Sequence, residues 1–452
     1  MRDRDTATAA QLAAAVRAGE VSARELCDAA IARIERGDGA INAIVVRDFE
    51  RAREQASGRD RAIARGETAG ALLGVPMTVK ESYNVAGLPT TWGLPPFRDY
   101  MPGVDAVLVQ RLKAAGAVIL GKSNVPPALA DWQSSNPIHG TTLNPRDPTR
   151  TPGGSSGGGA AAVAAGFVPL ELGSDIGGSI RVPAHFCGVF GHKPSFNLLP
   201  SRGHAFPGTD GAGIDLAVCG PLARCAADLD LSLDVLAGPD GDEANGYRLA
   251  LPSPRVAGID GLRVLLLDTH PLARADTATR DALHRLAGEL VREGAQIEPA
   301  STLLPDLVAS HKAYVTMLTT ITSYGAPPDG RPVISAHEWI GLLHRRAAVR
   351  RQWRALFETI DVLLAPAFGT PAFPLTSEPD WRKRTLRLDG NATPFGDQLA
   401  WSGMATFAGL PATVAPIAKS PEGLPIGVQI IGAFLHDRTT IGVAQQIESL
   451  RA

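Results

Sequence analysis

Short apolar runs alternate with longer helical patterns through most of this 452-residue chain. Strands that alternate with helices are typical of layered α/β proteins, in which helices cover a central sheet. No fixed-period repeat or low-complexity linker divides the chain, and the Gly/Pro/Asp-rich stretch 238–260 is its best internal seam. We therefore expect one large α/β domain. The predicted strands are Met77–Val79, Ala117–Leu120, Pro169–Leu172, Leu262–Leu267, Asp361–Leu364, Ala412–Ala415 and Ile426–Ile431, and the predicted helices lie within 5–66 and at 106–115, 221–236, 276–293, 335–358 and 438–450.

Charge and cysteine usage limit the classes of function. The 44 basic and 46 acidic residues leave a net charge of −2, which argues against nucleic acid as a partner. The four cysteines show neither C-x-x-C nor zinc-type spacing, which indicates a reducing compartment. The longest apolar tract, 157–170, has 14 residues, and a membrane span needs about 20. The N-terminus has no signal-peptide pattern either, so we expect a cytoplasmic protein that binds no membrane.

Lysine is rare in this chain, because only seven of the 44 basic residues are lysines. A lysine within an apolar segment is therefore expected to serve its own chemistry, since lysine can release a proton and arginine cannot. Lys80 ends the apolar run Met77–Val79. Burial there would lower its pKa, so that the amine could act as a base near neutral pH. In the plainer interpretation, Lys80 forms an ion pair with the adjacent Glu81.

Two short motifs match the sequence but lack the structural context that each motif requires. Residues 116–123 fit the phosphate-binding pattern G-x-x-x-x-G-K-[ST], yet the four variable positions are apolar and two prolines follow, which disfavours nucleotide binding. Residues 153–157 fit the nucleophile elbow G-x-S-x-G. Three prolines in 144–152 argue against the strand that must precede an elbow. An esterase of the α/β-hydrolase type therefore remains only a minor alternative.

Two Gly/Ser segments, 153–158 and 173–181, offer a third interpretation. Small residues let backbone N–H groups approach a ligand oxygen closely. The run Ile176–Ser179 could form a nest of donors for a developing oxyanion. Together with Lys80, these segments resemble the amidase signature family. The resemblance spans most of the chain, and residues 240–400 are the part that it covers least. The matching stretches are 74–80, 121–126, 135–140, 144–145, 151–157, 173–181, 186–195, 220–224, 408–412 and 423–432.

The resemblance implies a single amidase domain over residues 1–452, with a mixed β-sheet core and helices on both faces. Within it, 1–66 would form N-terminal helices and 67–235 the signature core with the catalytic residues. Residues 260–452 would supply the rest of the sheet, the substrate-side helices and the C-terminal part. The implied branch is that of stand-alone aryl acylamidases and urethanase-like enzymes.

The family also implies a Ser–Ser–Lys triad. Ser179 matches the nucleophile, Lys80 the base, and Ser155 the bridging serine, which would follow a cis peptide bond. Neither a metal nor an organic cofactor is implied. The oxyanion hole would comprise the N–H groups of Ile176, Gly177, Gly178 and Ser179; supporting positions are Ser156, Asp175 and Arg181; substrate-binding positions are Leu129, Ala130 and Asp131.

The implied reaction is hydrolysis of C–N bonds in small aryl or apolar amides, with carbamates as a further class, through an acyl-enzyme. One alternative is a glutaminase-type subunit of a tRNA-dependent amidotransferase, which would need partner chains; its usual Asp-Thr-Gly-Gly-Ser differs from the Asp-Ile-Gly-Gly-Ser here. A second alternative is a non-catalytic scaffold that keeps the fold. The expected partner is a small-molecule substrate, and a homodimer is left open. Aromatic residues that could line a pocket are Trp132, Phe206, Tyr314, Trp339, Trp401 and Phe407.

Overall fold

The computed structural model of the protein describes residues 6–209, 213–323 and 333–451. Its α-helices within these ranges are α1 Ala9–Arg17, α2 Ala23–Gly37, α3 Phe49–Ala64, α4 Val107–Ala114, α5 Gly157–Ala164, α6 Arg181–Cys187, α7 Ala226–Leu236, α8 Glu243–Gly246, α9 Thr277–Arg292, α10 Leu307–Ile321, α11 Ala336–Thr359, α12 Leu399–Ala408 and α13 Asp437–Ser449. Its strands are β1 Ile44–Arg47, β2 Pro76–Lys80, β3 Val118–Ser123, β4 Ser135–Asn136, β5 Gly140–Thr141, β6 Leu170–Asp175, β7 Phe190–Lys193, β8 Val218–Ala223, β9 Arg263–Leu266, β10 Gln296–Glu298, β11 Val362–Pro366, β12 Thr385–Leu388, β13 Asn391–Pro394, β14 Ala412–Lys419 and β15 Pro425–Gly432.

One mixed sheet organises the domain. In the described part of the chain it has eleven strands in the order β1-β3-β2-β6-β8-β7-β14-β15-β11-β9-β10. Strands β2, β3 and β6 pair in parallel, as do β9, β10 and β11, while the strands between these two groups are antiparallel. Each of the seven predicted strands is present in this sheet, which confirms the α/β class.

Helices cover both faces of the sheet, as expected. Successive residues of a strand point to opposite faces. On β11, Val362 and Leu364 pack in the cluster that contains α9 and α13, whereas Leu363 and Ala365 pack in the cluster that contains α10, α11 and α12. A third, aromatic cluster surrounds the hairpin β12–β13. No helix in the described ranges is both long enough and apolar enough to cross a membrane.

The predicted elements differ from the structure in three places. Strand β1 lies inside the predicted helical region 5–66, between α2 and α3, and pairs with β3. The helix expected at 221–236 begins only at Ala226, because 218–223 form strand β8. The stretch 133–159, whose many Asn, Pro, Thr, Ser and Gly residues favour loop, is mostly loop but contains β4 and β5 and enters α5 at Gly157.

The sheet also sets the position of the predicted site. Strands β2 and β6 are parallel neighbours, with Thr78 opposite Glu171 and Val79 opposite Leu172. Their carboxyl ends therefore meet at one edge of the sheet. Lys80 ends β2 and Asp175 ends β6. The loop that carries Ser179 leaves the sheet at this same edge.

Candidate active site

Lys80 lies fully buried at the end of β2. Its Nζ is 2.7 Å from Ser155 Oγ, 2.9 Å from Ser174 Oγ and 3.4 Å from the Ser174 carbonyl oxygen. Burial lowers the pKa of Lys80 to about 7, because removal from water disfavours the charged amine. The amine can therefore be neutral at physiological pH.

The sequence allowed an ion pair between Lys80 and the adjacent Glu81, but Glu81 has other partners. Its carboxylate accepts hydrogen bonds from the N–H groups of Thr91, at 2.5 Å, and Trp92, at 2.9 Å. Lys80 ends β2 and Glu81 begins the turn that follows, where these two N–H groups hold its carboxylate. Burial raises the pKa of Glu81, and the nearby Lys122 opposes that shift.

Ser155 and Ser156 join the two Gly/Ser segments. The Gly154–Ser155 peptide bond is cis, as the resemblance implied. Glycine is required at 154, because a Cβ there would lie 2.3 Å from the Asp131 carbonyl oxygen. Ser156 donates its hydroxyl hydrogen to Ser174 O at 3.2 Å and its N–H to Ser179 O at 3.1 Å. Ser156 thus fixes Ser155 relative to the segment that carries Ser179.

The Asp175 carboxylate shapes the loop between β6 and α6. It accepts hydrogen bonds from the N–H groups of Gly178 at 2.9 Å, Ile180 at 3.0 Å and Arg181 at 3.3 Å. The buried Arg181 guanidinium also donates to Asp175, at 2.8 Å. Although burial raises the pKa of Asp175, Arg181 and the backbone donors hold it well below the usual range. Asp175 and Arg181 are therefore structural supports of the loop.

Three of the four predicted oxyanion donors have no recorded acceptor among the described residues. The N–H groups of Ile176, Gly177 and Ser179 donate to no other described residue, and these residues border a cavity. The Gly178 N–H already donates to Asp175, because the loop wraps around that carboxylate. Gly178 itself has φ +95°, and a Cβ there would lie 2.4 Å from Ser402 Oγ.

Two aromatic side chains hold carbonyl groups of this loop through hydrogen bonds. The Tyr314 hydroxyl donates to the Ile176 carbonyl at 2.8 Å, and Trp132 Nε1 donates to the Gly177 carbonyl at 2.9 Å. In a trans peptide the N–H points opposite to the carbonyl. The Tyr314 contact therefore turns the Gly177 N–H in the opposite direction. These two roles follow only from tertiary contacts and carry no local sequence signal.

A cavity of about 960 Å³ contains the site. Ser155 and Ser179 both border it, and the structure records no hydrogen bond between their hydroxyls in the ranges it describes. The predicted substrate residues Leu129, Ala130 and Asp131 also border it. Asp131 accepts hydrogen bonds from Arg384 Nη1 at 2.7 Å and from the Trp132 N–H at 2.7 Å, so its charge is already paired.

The rest of the wall is mainly apolar. On α10, the hydroxyls of Thr316 and Thr319 donate to the carbonyls of Lys312 and Val315, each at 2.9 Å, so these hydroxyl hydrogens are satisfied within the helix. Of the six aromatic candidates only Trp132 borders the cavity, while Trp401 and Phe407 are buried in the core. Wall residues that the sequence analysis did not single out for the site include Trp92, Trp381, Leu399 and His311. Within the described ranges, no group of three or more His, Cys, Asp or Glu residues is arranged to hold a metal ion.

Comparison with known proteins agrees with this geometry. The amidase family model matches residues 25–340 and 328–441. An indoleacetamide hydrolase of Bradyrhizobium diazoefficiens is 32% identical over 98% of this chain and 86% of its own length. A glutamyl-tRNA(Gln) amidotransferase subunit of Moorella thermoacetica is 33% identical over 98% of this chain and 96% of its own.

The solved structures show the same relationship. A bacterial aryl acylamidase of the amidase signature family has a TM-score of 0.84 and 25% identity, with 98% of this chain and 96% of that one covered. The matches extend over nearly the whole length and include the segments around Lys80, Ser155 and Ser179. The chain belongs to the amidase family, that of the amidase signature enzymes.

Proposed function

We propose that this protein hydrolyses the C–N bond of small neutral amides with aryl or other apolar groups, and that Lys80, Ser155 and Ser179 carry out the reaction. The observation that carries the proposal is the 2.7 Å contact between the buried Lys80 amine and the Ser155 hydroxyl, beside a cavity that Ser179 also borders. A buried amine with a pKa of about 7 is suited to general base catalysis at neutral pH.

The surroundings of Lys80 direct its lone pair. A neutral amine has two N–H groups and one lone pair. The hydroxyl and carbonyl oxygens of Ser174 can accept the two hydrogens, at 2.9 and 3.4 Å. The lone pair is then available to the Ser155 hydroxyl. Ser174, which sequence reasoning did not single out, thereby orients the base.

The Ser179 hydroxyl attacks the substrate carbonyl while Ser155 takes its proton and passes its own to Lys80. Catalytic hydrogen bonds often shorten only when substrate is bound, which is consistent with the separate Ser155 and Ser179 hydroxyls in this structure. The N–H groups of Ile176, Gly177 and Ser179 are the donors available to the developing oxyanion.

The proton then returns through Ser155 to the leaving nitrogen. Protonation is needed because a free amide anion is a very poor leaving group. The C–N bond breaks, the amine departs, and the acyl group remains as an ester on Ser179 Oγ. Water hydrolyses this ester by the reverse proton route, which restores Ser179 and releases the acid.

The charges around the cavity favour a neutral substrate. Asp131 is paired with Arg384, Asp175 with Arg181, and the exposed Arg382 with Asp380 at 2.9 Å. Burial lowers the pKa of His204 to about 3, so its ring is neutral. In the part of the wall that the structure describes, no unpaired charge remains to bind the two charged groups of free glutamine. A carbamate is also neutral and presents the same carbonyl to Ser179.

The test is an assay of the purified chain alone on four substrates: a short-chain 4-nitroanilide, 2-phenylacetamide, a 4-nitrophenyl carbamate and glutamine. We expect hydrolysis of the anilide, the phenylacetamide or both, with little release of ammonia from glutamine. Ser179→Ala serves as the blank. The opposite outcome is that glutamine is the only one of the four substrates hydrolysed, and only after partner chains of an amidotransferase are added. That outcome would replace the proposal with the amidotransferase alternative.

A further inference from the structure

A second buried acid, Glu171, lies beside the proposed base, and the mechanism above does not use it. Glu171 sits on β6 opposite Thr78 of β2, and Lys80 of β2 lies opposite Ser123 of β3. Residues two apart on a strand share a face, so Thr78 and Lys80 point to the same side of the sheet. The Glu171 side chain is fully buried on that side.

Hydroxyl groups from two neighbouring strands hold the Glu171 carboxyl. Ser123 Oγ lies 2.5 Å from one carboxyl oxygen, and the Thr78 hydroxyl hydrogen-bonds to the other. Both carboxyl oxygens thus have a donor that favours the ionised form. No lysine, arginine or histidine among the described residues forms a hydrogen bond or ion pair with this carboxyl. Its charge, when present, is therefore not cancelled by a direct partner.

The fold makes room for this side chain. A Cβ on Gly159 of α5 would lie 2.4 Å from Glu171 Cγ and 2.6 Å from its Oε1. Only glycine at 159 lets α5 pack so closely over the carboxyl. The acid is therefore built into the interface between β6 and α5, which is the helix that follows Ser155.

We propose that Glu171 is a positioning residue for the reaction: its negative charge retains a proton on Lys80 and so sets the lowest pH at which the base is available. This inference rests on the proposed function, because it assigns Lys80 the role of base. Glu171 touches neither substrate nor reacting atoms and acts only through the field at Lys80.

The other titratable groups around Lys80 are already paired or neutral. Asp175 is ion-paired with Arg181, and Cys219, whose pKa burial raises to about 11, is a neutral thiol. Burial raises the pKa of Tyr83 and lowers that of His204, so both are neutral near pH 7. Glu171 is the remaining acid near Lys80 among the described residues, and burial raises its pKa to about 7. It can thus change charge in the same pH range as the base.

Glu171→Gln keeps the shape of the side chain and removes the charge. Without that charge the ammonium form of Lys80 is less stable, so its pKa falls and the base is neutral at lower pH. We expect the midpoint of the acid limb to move down by up to about one pH unit, the size of one partly screened interaction within the protein. Because Glu171 is itself protonated well below pH 7, the gain in rate should be greatest near pH 7 and should vanish at the foot of the limb.

The measurement is the rate at which an alkyl fluorophosphonate labels Ser179. Intact-protein mass spectrometry monitors this labelling at a series of pH values between 5 and 9. In this reaction the Ser179 Oγ–P bond forms, the P–F bond breaks, fluoride leaves, and the Ser179 proton passes through Ser155 to Lys80. The pH profile of kcat/KM on the best amide provides a second measurement. An acid limb that stays in place in folded Glu171→Gln protein, or moves up, would overturn the inference.

Two further variants keep the test decisive. Ser123→Ala removes one hydrogen-bond donor from the Glu171 carboxylate, so Glu171 stays neutral to higher pH. The acid limb should then move down by less than in Glu171→Gln. If Glu171→Gln does not fold, the result for Ser123→Ala decides the test. The control is Glu448→Gln. The Glu448 carboxylate accepts a hydrogen bond from the Ala226 N–H at 2.9 Å, and its replacement should leave the acid limb unchanged. Activity that persists in Ser179→Ala would refute the proposed function itself, whereas an unshifted limb in active Glu171→Gln refutes only this inference.

Discussion

The Tyr314 hydroxyl donates a hydrogen bond to the Ile176 carbonyl at 2.8 Å, although the two residues are 138 positions apart. Helix α10 thereby fixes the peptide that carries the N–H of Gly177, a residue that borders the cavity. A wall helix of the cavity and the proposed oxyanion hole are thus one connected unit.

Tyr314→Phe removes only this hydroxyl and leaves the Ile176 carbonyl without its partner. We expect kcat to fall about tenfold, because a misaligned donor stabilises the oxyanion less well, while KM changes little. Steady-state kinetics on the best amide tests this. Tyr247→Phe, at a residue that is 68% exposed, is the matched control. An unchanged kcat would show that the contact does not position the oxyanion hole.

Ser179→Ala should abolish turnover, with a loss of at least about 10⁴-fold, because no acyl-enzyme can form. The thermal midpoint should stay close to that of the wild type. The exposed Ser253→Ala is a control for serine substitution as such. Intact mass after a short incubation with an activated ester should show an acyl adduct in wild type and none in Ser179→Ala. An adduct that survives the substitution would place the nucleophile elsewhere.

Lys80→Met should lower kcat/KM by about 10³-fold or more, since the base is lost. The side chain is fully buried, so an apolar replacement of similar length should leave the protein as stable as the wild type or more stable. Kinetics and thermal unfolding together test both points. A substantial residual rate at pH 8 would exclude Lys80 as the base.

The pH profile of the wild type follows from the same residue. Lys80 must be neutral to accept a proton, and it is protonated below its pKa of about 7. We expect kcat/KM to fall about tenfold per pH unit below that value and to level off above it. The assay needs constant ionic strength and a substrate that does not titrate. A profile that stays flat down to pH 5 would contradict the assignment.

The pair of Asp131 and Arg384 links the cavity-lining segment 129–131 to the β12–β13 hairpin, with side chains that are 16% and 6% exposed. Asp131→Asn or Arg384→Met alone should lower the free energy of unfolding by about 3 kcal/mol, because each leaves a buried charge unpaired. The double variant should lose less than the sum of the two. Denaturation of all four proteins measures the coupling, and additive losses would show that the pair is not energetically linked.

The sequence predicted the strands whose residues are apolar and β-branched, such as Ile426–Ile431, because their local pattern agrees with their final position. Strand β8 was not predicted, since Gly220-Pro221 within it is typical of a turn. Its glycine is needed because a Cβ there would lie 2.2 Å from the His192 carbonyl oxygen. Local preference is overridden there by close packing of neighbouring strands.

Helix α5 shows the same limit. Three consecutive glycines open it, and such a segment has a low intrinsic helix propensity. A Cβ on Gly158 would lie 2.3 Å from the Asn124 nitrogen, so the crowding that requires glycine comes from a distant strand end. For the site, motif resemblance identified the proposed triad. The contacts of Tyr314, Trp132, Ser174 and Glu171 depend on the packing of separate elements and had no local signal.

The burial of three lysines has a practical consequence for chemical attachment. Lys80, Lys122 and Lys193 are at most 1% exposed. An amine-acylating reagent can reach them only after unfolding. Coupling to a solid support, or to a fluorophore, will therefore fall on the remaining lysines, which are Lys113, Lys312, Lys383 and Lys419. The folded protein can in this way be immobilised through its amines while the proposed base stays unmodified.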